Sequence, residues 1–437
     1  MKKVLVISYY FPPCNGAPAW RAYSWAKNFH QYGIRPTVLT RHWTGNENSW
    51  SDYLQPSDSP PSNDTHPDYS VIYLPTAKSR LNILLEKNRI LAKLFGNIYF
   101  FLLGLLGRFN TEVDAALAFR DFLGAHLQSN RYDAVIITGP PSNIFELISV
   151  VKTVAEVPVI ADIRDLWHNM MLSTAYRPSL KQRIWNGLYA ASYRKWLKDV
   201  DAVTVIVPAF VDELNKLTDK PMHVIYNGYE AGLFSQMHKI RQHRFVFSII
   251  GNLYPEQDIS ILLSGLTAFL KDKNPLDVEV RCIGADALPE IGSLFRASIP
   301  GSFLTLTGRV SKAEALQETL NADVLAYAGW KGVRGIISTK IFDYIASGNF
   351  IVIAPGDGDV LDRLVKDCRC GVSVDNPEEF ALALNQLYHE WMETGRVEVK
   401  SDIELVKYYS REKQAGMMAE LLHDLIKGPS LKESASS

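Results

Sequence analysis

The chain has 437 residues, 47% hydrophobic and 21% charged, with 46 Lys and Arg against 47 Asp and Glu. That length holds about two or three ordinary domains, and that apolar share buries full cores, which excludes a disordered chain, a collagen-like chain and a disulfide-stapled mini-protein. The net charge of -1 lacks the basic excess of a nucleic-acid binder, so no nucleic-acid partner is expected.

The opening Met-Lys-Lys-Val-Leu-Val-Ile-Ser starts like a secretory leader, but its apolar run stops at Tyr9 and Tyr10. A leader needs an apolar core of ~7–15 residues. Val4–Ser8 is therefore expected as a buried first strand, and the cytoplasm as the compartment. Further apolar runs predict strands at Thr37–Leu39, Val71–Leu74, Ala134–Thr138, Pro158–Ala161 and Ala202–Ile206. A second series covers Phe245–Ile250, Val278–Ile283, Leu304–Leu306, Val324–Tyr327, Phe350–Ile353 and Val372–Val374. Most are too apolar to face water on one side, so helices should cover both faces of parallel sheets. The rhythm restarts after Asn227-Gly228, which divides the chain into two Rossmann-like halves. Residues 1–230 and 231–402 are the expected domains, followed by a helical segment at 403–428 and a flexible tail at 429–437.

Two stretches interrupt this rhythm. Residues 44–70 are rich in Ser, Pro, Asp and Asn and read as a long loop. Within 81–108, Leu94–Gly107 is apolar nearly all round, with Lys87, Arg89, Lys93 and Arg108 beside it. It is shorter than the ~20 residues that span a bilayer. It reads either as an interfacial helix on an anionic membrane or as a buried helix. Lys181–Lys198 interleaves basic and aromatic residues and reads either as a second membrane-surface helix or, preferably, as a solvated amphipathic helix on the domain surface. The four cysteines, Cys14, Cys282, Cys368 and Cys370, form no C-x-x-C pair and are expected as buried apolar groups in a reducing compartment.

In open α/β sheets ligands bind beyond the carboxyl ends of the strands. The first strand runs into Phe11–Arg21, where Gly16 and Ala17 would let a ligand near the backbone and the next helix offers N–H groups to an oxyanion. This is not G-x-G-x-x-G, which removes a nicotinamide enzyme. Gly139-Pro140-Pro141-Ser142-Asn143 reads as a rim loop. Asp162-Ile163-Arg164-Asp165-Leu166-Trp167-His168 places charges directly after a buried strand, where they need partners or an open face. An Arg164–Asp165 pair that closes the turn is the plainer account.

In the second half Ile250 leads into Gly251-Asn252, small enough for a phosphate to approach. Arg309 stands at another strand end. The loop Lys331–Gly335 leads to Ser338-Thr339-Lys340, which opens a helix. A helix start beside Lys340 and Arg309 is an anion site. Asp343, one turn on, suits sugar hydroxyls or an ion pair with Lys340. Asp357-Gly358-Asp359 resembles a metal clamp, but helix capping explains it equally, and no obligatory metal is expected.

Together these segments resemble the retaining glycosyltransferases of family four, of the GT-B fold and the bacterial polysaccharide type. The matching pieces run from Ser8–Pro13 with Gly16 and Arg21, through Thr138–Ser142, Asp162–Trp167 and Val224–Gly228, to Thr307–Val310, Lys340–Gly348 and Pro355–Val360. The resemblance implies an α/β fold of two Rossmann-like domains facing across a cleft, with a C-terminal helix crossing back to the first. It implies a nucleoside-diphosphate sugar on the second domain at Gly251, Asn252, Arg309, Ser338, Thr339, Lys340 and Asp343. It also implies a saccharide or lipid-linked saccharide acceptor on the first, at Gly16, Arg21, Pro140, Arg164, Asp165 and Trp167. Arg309, Lys340, Asp343 and Asp165 would carry the chemistry, with no cofactor and no metal. The enzyme would serve surface polysaccharide synthesis, peripheral on the inner face of the membrane.

Two departures stand out. Family members often carry two glutamates with seven residues between them; the second falls on Asp343 and the first on Gly335. Basic residues of the family's first loop in this domain fall on Asn252 and Gln257. A catalytically degenerate binding subunit and a non-hydrolysing nucleotide-sugar epimerase are the alternative readings.

Overall fold

The computed structural model describes residues 1–427, apart from 48–49, 54, 78–86, 89, 91–97, 99–100, 103–104, 106–114, 167–171, 174–176 and 256. The chain divides into two units. One comprises Met1–Met170, Arg177–Tyr226 and Gln414–Ser437; the other comprises Met171–Tyr176 and Asn227–Lys413.

In the first unit the apolar runs become β1 (Lys2–Ser8), β2 (Ile34–Arg41), β3 (Ser62–Thr65), β4 (Ser70–Leu74), β5 (Ala134–Gly139) and β6 (Val159–Ile163). After β7 (Leu172–Ser173), which belongs to the second unit, come β8 (Ala202–Val205) and β9 (Met222–Val224). Their order in the sheet is β3-β4-β2-β1-β5-β6-β8-β9. All neighbours are parallel except β3 and β4. Every residue of β5, β6 and β8 is buried, as strands covered on both faces must be. The chain leaves β1 toward β2 on one side and returns to β5 on the other. The switch point, where strand order reverses and a crevice opens, therefore lies between β1 and β5.

Two strands escaped the pattern. β3 lies inside the stretch 44–70 expected as a loop, and all four of its residues are exposed. An edge strand with no apolar face gives no alternation to read; its pairing with β4 makes it a strand. β9 is three residues long, with Met222 and Val224 only half-buried.

The chain returns to this unit at its end. The helix Arg411–Lys427 sends Ala415, Met418, Ala419 and Leu422 into the core formed by Trp25, Phe29, Ile34 and Val38. Gln414 accepts a hydrogen bond from the Tyr226 amide at 2.7 Å, and His423 meets the Tyr32 carbonyl at 2.8 Å. The first unit thus ends at Tyr226, four residues before the expected boundary, and resumes at Gln414. The tail 429–437 lies outside the described residues.

In the second unit the strands are β10 (Phe245–Ile250), β11 (Val278–Ile283), β12 (Leu304–Thr307), β13 (Val324–Tyr327), β14 (Val333–Arg334), β15 (Phe350–Ile353) and β16 (Gly371–Ser373). The sheet order is β12-β11-β10-β13-β15-β16 and all neighbours are parallel. This is the doubly wound 3-2-1-4-5-6 order, with its switch point between β10 and β13. β14 pairs antiparallel with β7. Phe245, Phe247 and Phe269 centre the core, and Gly265 lets the helix Ser260–Leu270 close on Phe380; a Cβ there would stand 2.6 Å from the Phe380 ring.

The helix Leu180–Leu197 buries Tyr189, Tyr193, Trp196 and Leu197 and exposes Lys181, Arg183, Arg194 and Lys195. It is the solvated amphipathic helix that its sequence suggests. Much of Leu94–Gly107 lies outside the described residues. Those described, Ile98, Phe101, Leu102 and Leu105, are helical and exposed, which departs at these four positions from the buried alternative. Among the described residues no helix is long and apolar enough to cross a membrane. All four cysteines are free and buried.

Candidate functional site: two switch points

At the second unit's switch point Gly251 follows β10 with φ +91°, a conformation that disfavours any residue with a Cβ. A Cβ there would also stand 2.7 Å from the Lys340 side chain. Lys340 opens the helix Lys340–Ser347 and lies back across Gly251, donating from Nζ to the Asn252 carbonyl at 2.9 Å. Among the described residues no carboxylate pairs with it. Burial pushes its pKa down to about 8. The ammonium faces the Tyr327 ring, 5.9 Å from its centre.

The helix start is anchored to the two strands that flank the switch point. The Tyr344 hydroxyl accepts from the Ile250 amide at 2.8 Å and donates to the Ile250 carbonyl at 3.2 Å. Tyr327, the last residue of β13, accepts from the Ser338 amide at 3.3 Å and donates to its hydroxyl at 3.2 Å. Thr339 makes no side-chain cap. A cation, a bare glycine turn and the positive end of a helix dipole thus converge, the combination that receives a phosphate.

Gln257 donates to the Ala328 carbonyl and accepts from the Tyr254 amide, at 2.8 and 2.9 Å. It ties the loop after β10 to the end of β13, a job for a neutral amide with a donor and an acceptor. Arg309 is exposed in the loop after the edge strand β12. Asp343 is buried, but its carboxylate takes Lys312 as partner rather than Lys340. Burial raises its pKa and Lys312 opposes the shift.

The metal-clamp reading of Asp357 and Asp359 gives way to the capping one. Asp357 accepts from the amides of Asp359, Leu361 and Asp362. Asp359 pairs with Arg363 at 2.5 Å and accepts from the Gly335 amide at 3.1 Å. Among the described residues no cluster of His, Cys, Asp or Glu could hold a metal ion.

In the first unit Asp162, at the end of β6, is fully buried. It accepts two bonds from Arg21, at 2.9 and 2.7 Å, and one each from Thr138 and Thr204 at 2.7 Å. Burial works to raise its carboxyl, but the Arg21 charge and these bonds outweigh it and hold the pKa below the usual range. Arg21 also donates to the Tyr226 carbonyl at 2.9 Å and lies over the Trp25 ring. The guanidinium, expected at the acceptor, lies in the interior and ties β6 to the chain just after β9.

Gly16 has a different reason from the expected one. A Cβ there would meet the Tyr53 ring at 3.0–3.3 Å, so the glycine admits a side chain of its own chain. Tyr53 in turn donates to Asn15 at 3.1 Å. Sequence reasoning missed this aromatic floor of Tyr9, Tyr10, Trp43 and Tyr53 with Arg41 against it; its one signal was the Tyr9-Tyr10 pair.

Arg164 is buried and donates to the Gly139 carbonyl and the Pro18 carbonyl, both at 2.7 Å. The loop after β6 is thereby joined to those after β1 and β5, the two strands of the switch point. No Arg164–Asp165 ion pair closes the turn. Asp165 keeps an exposed surface, although the protein around it raises its carboxyl pKa and Arg164 pulls the other way. Pro140 is half-buried beside Gly139. Trp167 lies outside the described residues.

Residues 102–232 match the model of Glycosyltransferase Family 4. The fold is similar to that of sucrose-phosphate synthase from Thermosynechococcus elongatus, with 14% identity, 98% of this chain and 100% of that one covered and a TM-score of 0.65. It is also similar to an alpha,alpha-trehalose-phosphate synthase (UDP-forming) from Burkholderia vietnamiensis, with 11% identity, 98% and 100% coverage and a TM-score of 0.61. Anabaena HepE in complex with UDP and glucose shares 15% identity over 97% of this chain and 100% of that one, with a TM-score of 0.56. No curated protein matches the sequence. The architecture is the GT-B one of two Rossmann-like domains. The family match is confined to residues 102–232, and the likeness to these solved structures is one of fold.

Proposed function

We propose that the protein transfers a sugar, with retention of configuration, from a nucleoside-diphosphate sugar bound at the second switch point to a saccharide or lipid-linked saccharide held by the first. The observation that carries this reading is Lys340, a half-buried ammonium laid over Gly251 at a helix start, with no carboxylate partner among the described residues. The diphosphate leaving group gains charge as the glycosidic bond breaks, and preorganised donors stabilise that charge best. In this reading Lys340 and the amides around Ser338 and Thr339 hold the diphosphate, and Arg309 reaches it from the β12 loop. Asp343 positions the helix through Lys312 and faces the sugar or ribose hydroxyls. The leaving phosphate accepts the acceptor's proton on the same face, so no separate base and no metal are required. Asp165 and Pro140 border the acceptor.

A thermal-shift panel of UDP-, GDP- and other nucleotide-sugars, with and without EDTA, tests it. A ligand that binds only the folded state raises its apparent stability. One selective shift, unaffected by EDTA and lost in Lys340→Met, is expected. The absence of any shift would favour a degenerate binding subunit, and turnover of the donor without an acceptor would favour an epimerase.

We further propose that the exposed row Ile98, Phe101, Leu102 and Leu105 rests on an anionic membrane. Its spacing of three and four residues puts these side chains on one helical face, and Lys87, Arg89, Lys93 and Arg108 flank it in sequence. This would place a lipid-linked acceptor, such as one used in surface polysaccharide synthesis, at the inner face of the membrane. Co-sedimentation with anionic vesicles, abolished by Phe101→Ser with Leu105→Ser, is the expected result; equal sedimentation of this variant would end the proposal.

A further inference from the structure

We propose that Arg164 recognises an oxyanion on the acceptor, a phosphate ester or a carboxylate, through its Nη2 group. The inference rests on the reading of the first unit as the acceptor domain.

The three nitrogens of this guanidinium are not equally satisfied. Arg164 is only 7% exposed. Nε donates to the Gly139 carbonyl and Nη1 to the Pro18 carbonyl, each at 2.7 Å, so the group is held in one orientation between the loops after β5 and β1. Nη2 is buried and, among the described residues, has no hydrogen-bond partner. A buried polar atom is costly unless it is bonded, and a buried charge more so unless it is paired.

Charge is missing as well as a bond. Asp162, the nearest buried carboxylate in sequence, is saturated by Arg21, Thr138 and Thr204. Arg21 and Asp162 cancel one another, and Asp165 forms no ion pair with Arg164. Desolvation, with Arg21 as a second and like charge, lowers the Arg164 pKa, while Asp162 and Asp165 oppose it. Two carbonyls suffice to staple the loops, and a neutral donor could make such bonds. A guanidinium adds a fixed charge and a third donor at the switch point, where ligands of this fold bind. A water would satisfy only the bond; an oxyanion supplies both bond and charge.

The test uses the full chain as wild type, Arg164→Met, Arg164→Lys and Lys340→Met. Each is titrated calorimetrically with a neutral hexose, its 6-phosphate, the corresponding hexuronate and inorganic phosphate. Lys340→Met is included because anions also suit the donor site. The expected result is anion binding that survives in Lys340→Met and weakens at least tenfold in Arg164→Met. Arg164→Lys keeps the charge but cannot hold both carbonyls and a ligand, and reads a smaller loss should Arg164→Met fail to fold. A preference for the 6-phosphate names a phosphorylated acceptor, and the reverse names an acidic sugar. Binding that is equal in wild type and Arg164→Met, equal for neutral and charged hexose, or lost only in Lys340→Met would overturn the proposal. Nucleotide-sugar shifts on the same variants separate the two readings. Shifts that persist without Arg164-dependent anion binding sink this inference alone; their absence in wild type sinks the donor assignment instead.

Discussion

The carboxylate of Asp343 pairs with Lys312, at the start of the helix Lys312–Asn321, and not with Lys340, one turn before it on its own helix. Two cations that could have shared one acid are kept apart. Lys340 is left for a ligand, and the upward pull of burial on the Asp343 carboxyl is opposed by a lysine that is half exposed.

Loss of Lys312 therefore exposes the cost of a buried acid. Its folded pKa is already raised by burial, so the proton binds better to the folded chain than to the unfolded one. That stability is present at low pH and is lost as pH rises from the unfolded value of ~3.9 through the raised one. Lys312→Ala lengthens this window upward and should cost about 1–2 kcal/mol at pH 7, a buried-pair penalty discounted for the exposure of Lys312. Asp343→Asn in that background should restore most of it. Urea denaturation of the four-member cycle at pH 5 and pH 7 is the check; additive losses with no pH dependence would contradict the pairing.

Lys340 makes the reaction itself pH-dependent. With a pKa of about 8 in the free protein, kcat/KM for the donor should fall as pH rises through that value, because the neutral amine attracts no diphosphate. A bound diphosphate favours the ammonium, so the fall in kcat should come at higher pH. Stability should move the other way, rising between pH ~8 and ~10.4 as the unfolded chain retains the proton longer. Lys340→Met should cut turnover at least tenfold while preserving or raising the melting temperature at pH 7. A profile flat from pH 7 to 9.5 would show that this amine is not the group that binds the phosphate.

Gly251→Ala asks for a left-handed alanine and pushes on Lys340 at once. The backbone part costs roughly 1–2 kcal/mol. Donor affinity should drop about tenfold or more beyond that, since the lysine is displaced from its bond to Asn252. Isothermal titration on the folded variant decides it; unchanged affinity would remove Gly251 from the donor site.

Reversion of Gln257 to lysine is the natural repair if that position is read as a missing charge. The geometry predicts the opposite outcome. A lysine cannot accept from the Tyr254 amide, so Gln257→Lys should lose about 1–2 kcal/mol of stability and gain no donor affinity. A tenfold gain in affinity at unchanged stability would restore the charge reading.

All twelve strand runs read from the sequence became strands, because parallel strands buried on both faces are written as contiguous apolar stretches. Lys340 at a helix start and Gly251 at a strand end were legible for the same local reason. The restart of the pattern after Asn227-Gly228 located the second Rossmann unit, whose chain begins at Asn227 apart from the six residues Met171–Tyr176. β3 was not legible, since an edge strand of exposed polar residues has no period to detect.

What only the tertiary structure decided is which charge meets which. Arg21 and Asp162 lie 141 residues apart and Lys312 and Asp343 lie 31 apart, and no local spacing announces either pair. Gly16 looked like room for a ligand and is room for Tyr53; the pair of Arg164 with Asp165, the plainer of two accounts, does not form, and Arg164 points its bonds at Gly139 and Pro18. Periodicity reports burial along one element, a property of neighbours in the chain. Partner choice among buried charges depends on where the parallel crossovers bring distant strand ends together, and that exists only once the sheets have formed.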